Sequence, residues 1–209
     1  MEEMIMKKRY INELIDSSRV AVLRSGEVLL PDADRVKAAN RVNLLALGDV
    51  GGTVLMGLRL LGGEAVGQIG IYDLDPAMMR RYEMEINQIC FPDGRTLPEV
   101  RMLEQDELFD CDMFVFCASK GVPPVGAAGD VRMAQLEANS QLVGIYADMA
   151  VKAGFGGIFA VVSDPVDPLC KAAVLSGLAP EQVQGYGLGV MNGRASYFAA
   201  KDQRFSQYL

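Results

Sequence analysis

Apolar residues along this 209-residue chain fall into short runs separated by stretches with helical spacing. Val42 to Leu47 is a run of the length a buried strand needs. Gly48, Gly51 and Gly52 interrupt it. Thr53 to Leu61 then carries Val54, Leu55, Leu58 and Leu61 on one helical face, and Gly62-Gly63 closes that helix. Ile69 to Tyr72 is a second strand-like run. Asp75-Pro76 reads as N-cap and first residue of a helix reaching about Ile89. The pattern continues with strands at Val100–Leu103, Met113–Ala118, Ile158–Val162 and Val183–Tyr186. Between and after them come a short acidic helical piece at Gln105–Phe109, a long helix from Asp130 through about Lys152, a helix ending near Ser176 and a last helix from about Asn192. Six strands alternating with helices predict a doubly wound α/β domain: a parallel sheet of order 3-2-1-4-5-6 with helices on both faces.

Residues 1–40 precede that pattern. Val20–Arg24 and Glu27–Leu30, joined by Ser25-Gly26, predict a β-hairpin in an N-terminal extension, whose expected role is to cap a sheet edge or contact a subunit. Residues 41–209 are expected to form the single α/β domain. Within it, Ser119–Gly129 is a Gly- and Pro-rich loop of a length that usually carries function or motion.

The chemistry starts at Val42–Asp75. Strand, glycine turn, helix, second strand and then an acid, Asp73, is the dinucleotide-binding arrangement of a Rossmann-type fold; the alternative is a plain βαβ turn of another α/β domain. Glycines admit a pyrophosphate to the backbone, the helix N-terminus binds its charge, and the acid accepts from ribose hydroxyls. Two positions depart from the fingerprint. Ala46 stands at its first glycine, and Asp49 brings a carboxylate into the phosphate loop.

Composition narrows the options. Half of the residues are hydrophobic and 22% are charged, as in a globular chain; the net charge is -7 and the pI about 4.7. That balance argues against a nucleic-acid or acidic-membrane partner. No apolar run approaches a membrane span and the N-terminus has no signal-peptide core, so a cytoplasmic location is expected. Cys90, Cys111, Cys117 and Cys170 form no C-x-x-C pair and read as free thiols of a reducing compartment. There is no histidine, so no imidazole acid, base or metal ligand comes from this sequence.

From about Val42 to Tyr197 the order of motifs resembles the lactate/malate dehydrogenase family. NLLALGDVGGTV is similar to its first strand and phosphate loop, and IGIYDLD to its second strand and ribose acid. CDMFVFCASKGVPP resembles its fourth strand and the start of the active-site loop. VVSDPVDPL resembles its VV[ST]NPVD segment, and GLAPEQVQGYGLGVMNGR its G-L-P…V-x-G…L-D-x-x-R stretch. The resemblance implies NAD as cofactor, held along Gly48, Asp49, Val50, Gly51, Asp73, Ala118 and Asn139. It implies that Arg132 polarises a substrate carbonyl, that Arg194 grips the carboxylate of a 2-oxo acid, and that Asp164 stands where the family has an asparagine touching substrate. Asn donates hydrogen bonds, whereas an ionised Asp only accepts. Met191 stands where the family has the aspartate that orients its catalytic histidine.

The family's histidine lies further along than residue 209. Two accounts follow: the N-terminal half of a longer enzyme, which is the favoured expectation, or a complete protein without the chemistry. The implied function is the NAD-binding domain of a 2-hydroxyacid dehydrogenase, inactive by itself; the relatives also imply a homodimer. The alternative is a non-catalytic nucleotide-binding or assembly protein. A methyltransferase is weaker, because it explains neither Arg194 nor VVSDPVD.

Overall fold

The structure, a computed structural model, describes residues 40–63, 65–92, 96–120, 131–202 and 204, with the side chains of 131–134 set aside. The expected N-terminal hairpin, the Asp130 cap and most of the Ser119–Gly129 loop lie outside these residues.

Six parallel strands form one sheet: β1 (Asn40–Leu45), β2 (Val66–Tyr72), β3 (Glu99–Met102), β4 (Met113–Phe116), β5 (Ile158–Val161) and β6 (Val183–Gly185). Their order is β3-β2-β1-β4-β5-β6, the order the alternation predicts. β1 is the hub, with Leu44 opposite both Ile71 of β2 and Val115 of β4. Among the described residues there are five α-helices: α1 (Asp49–Leu61), α2 (Pro76–Asn87), α3 (Val131–Lys152) and α4 (Val166–Leu175) connect strands, α5 (Leu188–Ala199) follows β6, and a short 3-10 turn at Gln105–Glu107 lies between β3 and β4.

The strands are apolar throughout because both faces are covered. Leu44, Ile69, Ile71, Val100, Val115 and Ala160 pack with Leu55 of α1 and Ile86 of α2. Neighbouring positions point the other way. Leu45, Phe114, Phe116, Phe159 and Val161 pack with Val143, Ala147 and Ala150 of α3 and with Leu169 and Ala173 of α4. The period-two alternation of strand side chains thus splits one hydrophobic run between two cores. Phe114 and Phe159 meet at 5.0 Å between ring centroids, a tilted pair.

Several boundaries differ from the sequence reading, each for a tertiary reason. β1 begins at Asn40, two residues early, because polar side chains hold its start. The Asn40 amide donates to the Ala65 carbonyl, and the Arg41 guanidinium makes two 2.7 Å bonds to Asp110. α1 begins at Asp49 rather than Thr53, taking Gly51 and Gly52 into its first turn. A Cβ on Gly51 would collide with the Ala46 carbonyl oxygen, and one on Gly52 with the Tyr82 hydroxyl, so packing keeps these two positions small. α5 starts at Leu188 and contains Gly189 and Gly193, which low helix propensity marks as breakers.

Arg59, in the last turn of α1, is only 7% exposed, although no sequence pattern singles it out. Its guanidinium donates to the carbonyls of Pro98, Asn87 and Ile89, tying α1 to the end of α2 and the approach to β3. Burial lowers its pKa below the ordinary arginine value. By contrast Arg81 lies on the surface in an i,i+4 pair with Glu85, as a solvated helix face predicts.

Candidate functional site in the crevice at the strand ends

The strand order reverses at β1 and β4, and the carboxyl ends of the strands there open a crevice where ligands of open α/β sheets bind. Its first wall is the turn after β1. Ala46 sits at φ 72°, in the left-handed region, and its N–H donates to Tyr72 O at 2.8 Å. Leu47 N–H donates to the Asp73 carboxylate at 2.7 Å, and Asp75 N–H to the other oxygen of that carboxylate at 3.0 Å. Asp73 thereby fixes the glycine turn from the end of β2. Each of its oxygens keeps a further lone pair for a donor such as a ribose hydroxyl.

Gly48 is the N-cap of α1, and no side chain caps that N-terminus. The first-turn N–H groups are left for an acceptor from outside the helix. A Cβ on Gly48 would have nothing within 4 Å, so backbone and ligand can approach closely. These features fit a dinucleotide. Asp49 is the opposing term: it is the exposed first residue of α1, where its negative charge already complements the helix dipole.

Three segments build the far wall. Asn139 of α3 is fully buried at 0% exposure, and its carboxamide is used within the protein. The Nδ2 donates to Asp164 O at 2.8 Å and to Ser119 Oγ at 3.2 Å, and the Oδ1 accepts from Lys120 N–H at 2.8 Å. Ser163 Oγ donates to the Ala118 carbonyl at 2.8 Å. The ends of β4 and β5 are therefore cross-linked by side chains. The Asp164–Pro165 peptide is cis.

A cavity of about 700 Å³ lies against this wall, and among its lining residues are Val50 of α1, Asp164, Asp167 of α4 and Met191 and Arg194 of α5. Arg194, Asp164 and Val50, singled out from the sequence, thus share one space. Asn139 and Ala118 sit behind it, holding its loops. Gly48, Asp49, Gly51 and Asp73 stand at the β1–β2 end, beside rather than within the cavity lining. Arg132 lies in the first turn of α3, and its side chain is not among those described. Asp167, Leu188 and Val190 also line the cavity and were missed. Asp167 was the readable one, being the second acid of the Ser163–Pro168 segment. Among the described residues no cluster of three or more Cys, Asp or Glu could hold a metal ion.

No family model matches the chain. Among curated proteins it is similar to an L-lactate dehydrogenase of Oceanobacillus iheyensis, 28% identical over 166 residues, covering 77% of this chain and 48% of the relative. It is likewise similar to L-lactate dehydrogenase 1 of Staphylococcus aureus, 30% identical over 149 residues, covering 71% and 45%. The chain therefore spans about half the length of the curated relatives it matches. In fold it resembles malate dehydrogenase from Salinibacter ruber, with a TM-score of 0.63 at 20% identity over 79% of this chain and 50% of that one. It also resembles a lactate dehydrogenase from a Medee basin deep-sea metagenome library, with a TM-score of 0.59 at 23% identity over 70% and 45%. In sequence this chain is therefore similar to L-lactate dehydrogenases and in fold to lactate and malate dehydrogenases, over about half the length of such an enzyme.

Proposed function

We propose that this chain is the NAD-binding domain of a lactate/malate dehydrogenase-like oxidoreductase acting on a 2-hydroxy or 2-oxo acid. The observation that carries the reading is the turn after β1, where Asp73 holds Leu47 N–H beside an uncapped helix N-terminus. NAD, when bound, supplies hydride transfer at its nicotinamide ring. The residues of the chain bind and orient. Gly48–Gly51 and the α1 N–H groups would receive the diphosphate, and Asp73 a ribose. Arg194 would anchor a carboxylate through its planar pair of donors. Arg132, by its place in the sequence, would stabilise charge on the substrate oxygen. Asn139 would act as a positioning residue, since its bonds set the two loops that face the ligand.

Proton transfer at the substrate oxygen needs a group that titrates near neutrality, and this sequence has no histidine to provide one. The chain alone is therefore expected to bind NADH without turning over pyruvate or oxaloacetate. Calorimetry with NADH, followed by an absorbance assay with either 2-oxo acid, tests both statements. Saturable binding with a flat trace is the expected pair of results. Absence of binding at millimolar NADH overturns the cofactor assignment, and appreciable turnover overturns the need for imidazole. A non-catalytic nucleotide-binding or assembly role is the second reading, favoured by the carboxylate of Asp164 and by Met191 in the cavity. The cytoplasm, a small-molecule partner and a homodimer complete the proposal.

A further inference from the structure

The charged residues lining the cavity are of two signs and are not paired with one another. Arg194 makes no hydrogen bond or ion pair with any described residue, and the same holds for the side chains of Asp164 and Asp167. The backbone carbonyl of Asp164 is the part engaged by Asn139, which leaves its carboxylate for the cavity. A guanidinium offers only donors and an ionised carboxylate only acceptors. A 2-oxo acid answers half of that arrangement: its carboxylate suits Arg194, while its keto oxygen brings an acceptor, and no donor, toward two carboxylates. A 2-hydroxy acid offers one weak donor. A 2-amino acid in its zwitterionic form answers both halves, because its ammonium presents three donors and a positive charge one bond from the carbon that bears the carboxylate. Around these charges the wall is apolar, with Val166, Leu188 and Val190 completing it. The volume of about 700 Å³ leaves room for a side chain beyond the α-carbon.

We propose that the crevice between the ends of β5 and β6 and helix α5 binds a 2-amino acid with an apolar side chain as its zwitterion, in preference to the matching 2-oxo acid. Arg194 takes the carboxylate and Asp164, with Asp167 behind it, the ammonium. This rests on reading the crevice as the ligand site of the dehydrogenase-like fold. It adds a binding activity that the chain performs alone, with no proton transfer and no histidine.

The test is calorimetry of the full chain with three ligands of one carbon skeleton: L-leucine, 4-methyl-2-oxopentanoate and 2-hydroxy-4-methylpentanoate. L-leucine is expected to bind at least about tenfold more tightly than the other two. Asp164→Asn keeps the volume and removes the charge, so it is expected to abolish that preference. Arg194→Gln is expected to weaken all three ligands, and circular dichroism verifies that both variants fold. Equal or tighter binding of the 2-oxo acid overturns the proposal, as does no binding of any of the three or a leucine preference that survives Asp164→Asn. NADH titrated into the same samples separates the two readings. NADH binding without a leucine preference overturns the zwitterion alone, and leucine binding without NADH overturns the dinucleotide assignment alone.

Discussion

A side chain at Gly51 would strike the Ala46 carbonyl, whereas Asp49, two positions earlier, points a charge into solvent at the same helix start. Gly51 lets α1 start close against the turn after β1, Gly48 leaves open space for a diphosphate at that start, and the Asp49 carboxylate opposes its charge. Removing that charge in Asp49→Asn is expected to tighten NADH binding about fivefold, the equivalent of roughly 1 kcal/mol between like charges at close range in water. A fluorescence titration measures it, and unchanged affinity would show that the diphosphate does not lie at α1. The cysteines give a second prediction at this scale. Burial pushes the thiols of Cys111 and Cys117 up to about 12, whereas Cys90 is exposed. Iodoacetamide at pH 8 is expected to label Cys90 on the folded chain and Cys111 and Cys117 only in urea; mass spectrometry of the peptides reads the order. The raised pKa values carry a sign for stability. The protonated thiols favour the fold fully below pH 9.0, the ordinary thiol value, and this contribution is lost as pH rises toward about 12.

At the scale of elements, the ends of β4 and β5 depend on one buried amide. Asn139 belongs to α3 but spends its donors and acceptor on the loops after both strands. Asn139→Ala leaves those groups without partners. It is expected to lower stability by about 2–3 kcal/mol and to weaken NADH binding as well, with urea unfolding and a binding titration as readouts. A variant that loses stability while keeping its affinity would show that the clamp serves the fold alone. In the sequence Asn139 was singled out only by the family resemblance; hydropathy marks a polar residue on a helix as solvent-facing, so complete burial was invisible. The same limit explains Arg59 and Asn43. The Asn43 amide lies inside the sheet and donates to Leu108 O at 2.9 Å. Strand and helix identities were legible because buried runs of four to six apolar residues and a 3.6-residue period are local signals. Helix starts at α1 and α5 were not, because glycines that propensity counts as breakers are retained there.

For the molecule as a whole, the net charge of -7 opposes any anionic ligand. Raising ionic strength from about 0.02 to 0.5 M shortens the Debye length below the spacing of surface charges, so NADH affinity is expected to rise rather than fall. Isothermal titration at the two salt concentrations decides it; a fall would mean that local contacts with cations dominate. Strand order was readable from the alternation of elements because parallel strands require helical crossovers, and these allow few topologies. The glycine turn and Asp73 were readable because a βαβ unit is local enough for its spacing to show. By itself, then, the sequence determined the doubly wound fold, the dinucleotide fingerprint with its two departures, and the absence of imidazole. Tertiary structure alone decided that Asp167 joins Arg194 and Asp164 in lining one cavity, and that Asn139 is a clamp behind it. These residues come from helices and loops far apart in the chain, and only the folded sheet brings its strand ends together.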